Sequence, residues 1–387
     1  MSSPIIKRRP KVALVIETSN AYGRGLLKGV LNYVRENGPW SLHLVEQHWG
    51  ERPDVTLQNW QGDGVIARIE TPVIVASLKG VTLPIVDLSS ARLMPELPWY
   101  ENDYRLIAQA ALAHFLERGH KRFAFYGEPR FNWSRWLGEQ FVAQVKEAGY
   151  ACNVFEGLPP KDSGKPEEST AIAAWLKGLE KPVALLACND FFGRMIIGIC
   201  REHGVLVPDE IAVMGDDNDE VFCELSEPPL SSVQQNCVRI GYEAASGLDR
   251  LMRGEKLGNE GVFVPPIGVV TRQSTDVLAI EDRNVAQVVR YIREHACEAI
   301  NMKDVLRVFP QSRRLLETKF KRIVGHSPHE DINNVRISLV KRMLIETDLS
   351  IEAIAERCGF AYVEYLSVAF KRTTGEPPSV FRQRNRR

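Results

Sequence analysis

The sequence predicts an α/β body of two lobes built on parallel sheets, followed by an all-α carboxyl-terminal domain with two helix-turn-helix motifs. Apolar, strand-like runs alternate with amphipathic helical stretches from residue 11 to residue 275, which is typical of repeated βα units. After residue 300, a helix, a sharp turn and a second helix are predicted twice. Residues 285–387 hold 19 Lys and Arg against 12 Asp and Glu, a net +7, so the rest of the neutral chain carries −7.

The length bounds the domain organisation. A chain of 387 residues exceeds one typical core and predicts two or three domains. We predict an amino-terminal tail over residues 1–10, a two-lobed α/β domain over 11–275, a linker over 276–284 and a helical domain over 285–384. A basic terminal domain beside an acidic body is what phosphate binding at one end predicts.

Composition excludes several classes of protein. The seven cysteines are scattered and form no C-x-x-C pair, which favours reduced thiols in the cytoplasm over a disulfide scaffold or a zinc site. The first apolar run, from Val12 to Ile16, is too short for a signal peptide, and no apolar span of about 18 residues follows. We therefore expect a cytoplasmic protein that does not span a membrane. The sequence has no P-loop, catalytic motif or clustered metal ligands, so we expect no enzyme, no cofactor and no metal site.

The body shows its elements in order. Strands are predicted at Lys11–Glu17, Ser41–Glu46, Gly64–Ile69, Leu83–Leu88, Arg122–Tyr126, Ala184–Ala187 and Glu210–Met214. Helices are predicted at Gly25–Asn37, Tyr104–Arg118, Trp136–Ala148 and Gly193–Glu202. Such units form parallel sheets covered by helices on both faces, with a ligand cleft where the carboxyl ends of the two sheets meet.

The second helix-turn-helix motif has the clearer pattern. Its first helix is capped by Ser350, ends at Gly359, and has an inner stripe at Ile351, Ile354, Ala355 and Cys358. Its second helix begins near Tyr362 and is predicted to turn Tyr365, Leu366, Ala369 and Phe370 inward. Two short helices around so tight a turn pack steeply, which lets the second lie in a DNA major groove.

The first motif lies upstream, with a break at Pro310 and a helix capped by Ser312. Its apolar line is Leu316, Phe320 and Ile323. Ile337, Val340 and Leu344 are in register for one helix connecting the motifs. Two helix-turn-helix motifs joined by a rigid helix, here called the two readers, should bind two successive faces of the major groove of duplex DNA.

Outward residues of the two reading helices are the candidates for DNA contact. Base-edge candidates are Gln311, Arg313, Arg314 and Glu317, beside the cap Ser312, in the first helix and Ala361, Tyr362, Glu364 and Ser367 in the second. Phosphate candidates are Lys321, Arg322, Lys371 and Arg372. Whether Arg313 and Arg314 read bases or phosphates stays open. The tail from Arg382 to Arg387 is expected to add salt-sensitive, nonspecific affinity.

From Val305 to Arg382 the chain resembles the AraC/XylS family of bacterial transcription activators. The matching residues are Ser312, Leu316, Phe320-Lys321, Gly325, Pro328, Ile351, Ile354-Ala355, Gly359-Phe360, Phe370-Lys371-Arg372, Gly375, Pro378 and Arg382. Pro310, Val340 and Leu366 depart from the family pattern. The resemblance implies sequence-specific DNA binding and contact with RNA polymerase.

Residues 11–275 resemble the sugar-sensing core of the LacI/GalR family, a periplasmic-binding-protein-like fold of type I. The phrases that match in order include Gly62-Asp63-Gly64, Asn102-Asp103-Tyr104, Cys188-Asn189-Asp190, Pro228-Pro229-Leu230 and Arg272-Gln273-Ser274-Thr275. The family begins with its own DNA-binding helices, whereas here the first strand starts at Lys11 and the reader follows the sensor. This layout resembles that of activators of pentose catabolism genes, and it implies a homodimer whose effector is D-xylose or a related sugar.

The LacI/GalR resemblance also implies the sugar-binding residues. Asp217 follows a strand and matches the family's cleft aspartate, with a solvated loop acid as the alternative. Of the pair Asn189 and Asp190, one is expected to cap the next helix. Arg135 matches the family's cleft arginine, with a surface ion pair as the alternative, and Tyr22 and Arg24 follow the first strand of the other lobe.

Three alternatives remain open. Gly23, Gly25 and Gly29 follow a strand and open a helix, with Glu46 ending the next strand, as in a dinucleotide site, although the first glycine lies too far from the strand. The chain could be a repressor of the same architecture that answers to another sugar. It could also be a sugar-processing enzyme with a regulatory tail.

Overall fold

A computed structural model describes residues 8–45, 57, 60–155, 166–276, 280, 282–310, 312–347 and 349–385. The chain divides into two compact units, Met1–Val277 and Leu278–Arg387. Some predictions fall outside the described residues: most of the tail, much of the linker, Glu46, Gln311, and Arg386 and Arg387 at the end of the chain.

The first lobe of the larger unit is a four-stranded parallel sheet in the order β2-β1-β3-β4. Its strands are β1 (Lys11–Val15), β2 (Ser41–Leu44), β3 (Gly64–Ala67) and β4 (Ile85–Asp87), and its helices are α1 (Ala21–Asn37), α2 (Pro72–Leu78) and α8 (Cys237–Met252). Val12 and Leu14 of β1 pack under α1 and α8. Ala13 and Val15, on the opposite face, pack under α2. Helices therefore cover both faces of this sheet.

The second lobe is a six-stranded sheet in the order β12-β10-β9-β8-β6-β7, parallel except at β12. Its strands are β6 (Phe123–Tyr126), β7 (Cys152–Phe155), β8 (Val183–Ala187), β9 (Ile211–Asp216), β10 (Ser231–Gln234) and β12 (Gly268–Val270). Its helices are α3 (Tyr104–Glu117), α4 (Asn132–Glu147), α5 (Pro166–Gly178), α6 (Asp190–Glu202) and α7 (Glu220–Glu224). Phe123 and Phe125 pack under α3 and α4, and Ala124 and Tyr126 pack under α5 and α6.

Three segments cross between the lobes. They follow β5 (Tyr100–Asn102), β10 and β11 (Val262–Val264), and β5 and β11 pair in parallel as a two-stranded ribbon. The crossings place the carboxyl ends of the two sheets on either side of one cleft. The predicted two-lobed α/β fold is confirmed.

The glycines of α1 serve helix packing. A Cβ at Gly29 would lie 2.0 Å from the Val238 carbonyl oxygen, and a Cβ at Gly25 would lie 2.6 Å from Cys237 Sγ, so α1 and α8 could not approach as closely. Close packing of α1 against α8 therefore explains these glycines, and their spacing no longer indicates a dinucleotide site. The helix also begins at Ala21 rather than at Gly25, because the Asn20 side chain accepts a hydrogen bond from the Gly23 N–H at 2.7 Å and caps it.

The smaller unit is all helical, as predicted. Its helices are α9 (Arg283–His295), α10 (Met302–Val308), α11 (Arg313–Val324), α12 (Pro328–Glu346), α13 (Ile351–Arg357), α14 (Val363–Thr374) and α15 (Pro378–Asn385). Ile332 of α12 belongs to one core with α9, α10 and α11. Ile337 and Val340 of the same helix belong to a second core with α13 and α14. One helix therefore holds the two helix-turn-helix motifs together.

The two motifs are copies of one plan. The helix α11 starts at Arg313 and α14 at Val363, a shift of 50 residues, and both are 12 residues long. The same shift relates the buried pair Leu316 and Phe320 to Leu366 and Phe370.

Candidate functional site

The cleft brings together an arginine, an aspartate and a tyrosine from both lobes. Tyr22 lies at the start of α1 and Arg68 directly after β3, whereas Asp217 directly follows β9 in the other lobe. The Arg68 guanidinium lies 5.2 Å from the centre of the Tyr22 ring. Burial raises the pKa of Tyr22 well above its ordinary value, while Arg68 lowers it and Asp217 adds to the rise. Tyr22 and Arg68 therefore lie together on one lobe, and the contact of Asp219 with Ala21 places the loop of Asp217 against the same end of α1.

Arg68 was not predicted as a site residue. Its guanidinium pairs with Glu17, two residues after β1, and with Glu70 at 3.2 Å, and only 11% of its side chain is exposed. Burial lowers the pKa of Arg68, but the two carboxylates raise it by more, so the group stays charged. A fixed, charged guanidinium at a cleft can donate two hydrogen bonds to neighbouring hydroxyls. The available sequence signal was a basic residue immediately after an apolar strand.

Asp217 has a strained backbone. Its φ is 105° and that of Asn218 is 52°, both in the left-handed region that non-glycine residues seldom adopt. The Asp217 N–H donates to the Val233 carbonyl at 3.1 Å, which holds the turn against β10. Burial raises the pKa of Asp217 well above its ordinary value, Asp216 and Asp190 add to the rise, and Arg68 opposes it. Strain of this kind clusters at ligand sites.

The pair Asn189 and Asp190 divides two structural tasks. The Asn189 side chain accepts from the Phe192 N–H at 3.1 Å and caps α6, which is the cap expected of one of the two. Asp190 is 1% exposed, and its Oδ2 accepts from the Asp219 N–H at 2.6 Å. Burial raises the pKa of Asp190 to about 7. Asp190 therefore supports the loop that carries Asp217.

Asp219 joins the lobes. Its carboxylate accepts from the Val221 N–H at 3.2 Å, which caps α7, and from the Ala21 N–H at 3.3 Å, at the start of α1 in the opposite lobe. A carboxylate at two helix amino termini meets the positive ends of both helix dipoles. This contact therefore bridges the two lobes.

A chain of hydrogen bonds runs from the hinge into the cleft. Asn102 Nδ2 donates to Gln235 Oε1 at 2.8 Å and to the Tyr22 hydroxyl at 3.3 Å. Gln235 in turn donates to Asp216. Asn102 and Gln235 lie on two of the crossings between the lobes, so hinge position and cleft geometry are linked.

Two predicted arginines lie apart from this group. Arg24 is exposed, and its guanidinium donates to the Thr18 carbonyl at 2.9 Å. Arg135 is exposed in the first turn of α4. Arg68 is the cation with the largest effect on the pKa of Asp217. The role of Arg24 and Arg135 in sugar binding stays a prediction.

The first reading helix, α11, is capped by Ser312, which accepts from the Leu315 N–H at 3.3 Å. Arg313 and Arg314 are exposed, in agreement with their outward assignment. Arg313 Nε donates to Glu317 Oε1 at 2.9 Å, so this arginine is held on the helix surface. Arg314 is accordingly the better placed of the two to reach a base edge.

The second reading helix, α14, turns Ala361, Tyr362 and Glu364 to solvent and leaves Ser367 half-buried. The prediction that Tyr365 faces inward was wrong, since 64% of this residue is exposed. The core positions are Leu366 and Phe370, four residues apart, and Tyr365 lies to one side of that stripe. Its aromatic character, rather than its position on the helix, suggested burial.

Basic pairs end both reading helices. Lys321 and Arg322 lie in the last turn of α11, and Lys371 and Arg372 in the last turn of α14, all four exposed. The caps Gly325 and Gly375 have φ of 91° and 82°, which glycine adopts without strain. Cations here can meet phosphates on either side of a groove.

Arg336 ties the two motifs together. From the middle of α12 it donates to the Ala296 carbonyl at 2.8 Å and to the Ile300 carbonyl at 2.9 Å. Its guanidinium also lies 5.7 Å from the centre of the Phe360 ring in the second motif. Arg336 therefore fixes the pose of one reader relative to the other.

Within the described residues, no helix is long and apolar enough to cross a membrane. The same part of the chain contains no cluster of three or more His, Cys, Asp or Glu side chains suited to a metal ion.

Comparison with protein families matches three successive regions. Residues 11–101 match the XylR N-terminal domain, residues 112–275 a periplasmic binding protein-like domain, and residues 306–384 a helix-turn-helix domain. The order of the domains is the one that the two resemblances indicated.

Individual relatives match over nearly the whole chain. The xylose operon regulatory protein of Escherichia coli K12 is 32% identical over 98% of each chain. The protein of the same name from Haemophilus influenzae is 32% identical over 96% of this chain and 98% of its own. A solved structure of a xylose-binding transcription activator XylR aligns with a TM-score of 0.83 and 31% identity, covering 98% of this chain and all of that one.

Proposed function

This chain belongs to the family of xylose operon regulatory proteins, and we propose that it is a transcription activator controlled by D-xylose or a closely related pentose. It is a DNA-binding regulator of xylose genes, as its relatives and its helix-turn-helix domain show. The observation that carries the effector proposal is the placement of Tyr22 and Arg68 on one lobe facing the loop of Asp217 on the other, joined by the Asp219–Ala21 contact.

Each group has a task in holding a pentose. The Asp217 carboxylate accepts hydrogen bonds from sugar hydroxyls, and Arg68, fixed by Glu17, donates to them from the other lobe. Tyr22 offers an aromatic face and a hydroxyl at the same point. Asn189 and Asp190 hold the residues of the second lobe in place. Sugar contacts by Arg24 and Arg135 remain part of the proposal.

Binding to both lobes favours the closed cleft. A ligand shifts such an equilibrium only by the difference in its affinity for the open and closed forms. A pentose that bridges Asp217 and Arg68 gains contacts that one lobe alone cannot give. We propose that the closed sensor changes how the reader domains of a homodimer engage two adjacent DNA half-sites.

The remaining partners follow from the same role. An activator must contact RNA polymerase at the promoter, and the chain acts in the cytoplasm, where bacterial DNA and polymerase are found. Among the candidate DNA contacts, Arg313 or Arg314 supplies base reading, and Lys321, Arg322, Lys371 and Arg372 supply phosphate contacts.

The test is a footprint of the purified full chain on DNA upstream of its xylose genes, with D-xylose, L-arabinose, D-ribose and D-glucose added in turn. We expect one pentose to extend or strengthen the protected region, and calorimetry to give a Kd for the same sugar. If no sugar in the panel changes the footprint or binds, the effector proposal fails.

Two alternatives give different results. A repressor of the same layout would raise transcription when residues 285–387 are deleted, whereas an activator would lose transcription. The relatives named above are transcription regulators, and an enzyme with a regulatory tail would convert pentose during incubation with the purified protein.

A further inference from the structure

We infer that the second reading helix, α14, recognises thymine methyl groups in the major groove through an apolar face formed by Tyr362, Tyr365 and Val368. The inference rests on the DNA-binding role above and specifies what one of the two readers reads.

The face is strongly exposed and consists of adjacent side chains. Tyr362 and Tyr365 are each 64% exposed and Val368 is 70% exposed. Among the other large apolar side chains of the described residues, Val221, Leu225 and Ile267 are exposed to a similar degree, at 61%, 65% and 62%. The two tyrosine rings contact edge to face, with their centres 5.6 Å apart, which holds them as one surface. Adjacent exposed apolar groups of this kind mark an interaction surface.

The first motif shows that this face is not needed for folding. The 50-residue shift places Ser312, Leu315 and Thr318 of the first motif at the positions of Tyr362, Tyr365 and Val368. The scaffold, with its buried Leu and Phe and its final glycine, is the same in both motifs. The outward chemistry is therefore a separate property of each reader.

The charged positions differ in the same direction. Arg313 and Arg314 of the first helix correspond to Val363 and Glu364 of the second. A guanidinium suits guanine O6 and N7, whereas an apolar group finds a partner at the groove edge in the C5-methyl of thymine. The exposed Lys371 and Arg372 at the end of α14 provide the phosphate contacts that place this face against a duplex.

The test uses half-sites selected by the full chain from a random duplex pool. Each thymine in the selected site is replaced by uracil, which removes only the C5-methyl and keeps the base pair. Affinity is measured by fluorescence anisotropy at fixed salt for the wild type and for the double variant Tyr365→Ser with Val368→Thr, which replaces two apolar side chains of the face with polar ones. Tyr365→Phe, which keeps the ring, is the matched control.

We expect uracil at one or two positions of a single half-site to weaken wild-type binding by about threefold to tenfold each. The double variant should bind thymine and uracil sites equally at those positions, and Tyr365→Phe should keep most of the penalty. Thermal melting should be unchanged, since the substituted residues are exposed.

Sequence-selective binding without any uracil penalty, or a penalty that the double variant retains, overturns this inference and leaves the proposed function standing. If the double variant binds DNA normally but loses transcription activation, the face contacts a protein and the inference is also wrong. A complete absence of sequence-selective binding would refute the DNA-binding role itself.

Discussion

The Asp219 carboxylate and the Ala21 backbone N–H meet at 3.3 Å, although they belong to opposite lobes of the sensor. The same carboxylate caps α7, and the loop that carries it is held by Asp190. This contact makes closure of the cleft depend on a charge at the amino terminus of α1.

Replacing Asp219 with Ala should therefore weaken sugar binding. The variant loses this contact between the lobes, and we expect the Kd for D-xylose, measured by calorimetry, to rise about threefold to tenfold. Asp219→Asn, which keeps an acceptor for the cap, should have a smaller effect. Asp282→Ala removes a cap from α9 in the other unit and serves as the control, with an unchanged Kd.

Asp217→Asn should separate affinity from stability. Loss of the charged acceptor should raise the Kd for the sugar roughly 10- to 150-fold, as expected for a hydrogen bond to a charged group. The melting temperature without sugar should stay the same or rise, because burial and the neighbouring Asp216 and Asp190 raise the pKa of Asp217 and make its charge costly. Unchanged sugar affinity would show that Asp217 does not face the ligand.

The buried Asp190 should give the sensor a specific pH dependence. Burial raises its pKa to about 7, against roughly 3.9 for an unfolded aspartate. Between these values the folded state binds more protons than the unfolded state. The stability from this group is thus complete below about pH 4 and is lost as the pH rises through about 7.

The measurement compares the free energy of unfolding of wild type and variant at two pH values. The comparison is needed because burial lowers the pKa of His114 to about 3 and of His120 to about 4, and these shifts make stability rise with pH. Denaturation of wild type and Asp190→Asn at pH 5 and pH 8 cancels these histidines. Relative to wild type, the variant should gain stability on the order of 2 kcal/mol between the two pH values. A constant difference would contradict the assignment.

Arg336→Met should uncouple the two readers. The substitution leaves the Ala296 and Ile300 carbonyls without their donor, which should cost the helical unit about 2 to 4 kcal/mol. Binding to two linked half-sites should fall more than binding to either half-site alone, measured by gel shift. Arg382→Met, which removes a donor to Leu349 within the second motif, should weaken the second half-site without this added loss.

Sequence reasoning succeeded where local chemistry sets the structure. Ser312 and Ser350 both cap the helices they were expected to cap, because the hydroxyl, the helix start and the apolar stripe lie within a few residues of each other. The alternation of strands and helices likewise follows from short-range pattern. Short strands such as β5 and β12, of three residues each, were too brief for such a pattern to show.

The candidate site was less accessible from sequence. The role of Arg68 depends on Glu17 and Asp217, which are 51 and 149 residues away in the chain. Only the folded two-lobed domain brings these residues to the same cleft. Tyr365 illustrates the opposite error, since hydrophobic character suggested burial where the helix geometry exposes the ring. Long-range electrostatics and exposed apolar residues are the two features that a single sequence does not resolve.

The helix α12, shared by both helical cores, has a consequence for the promoters this regulator can serve. Because α12 fixes the distance between the two motifs, the number of base pairs between their two recognition sites must stay constant, whatever the identity of those base pairs. Inserting about five base pairs, half a turn of B-DNA, would turn one target to the far side of the duplex. The length of α12 therefore sets the separation of the two recognition sites in the operator.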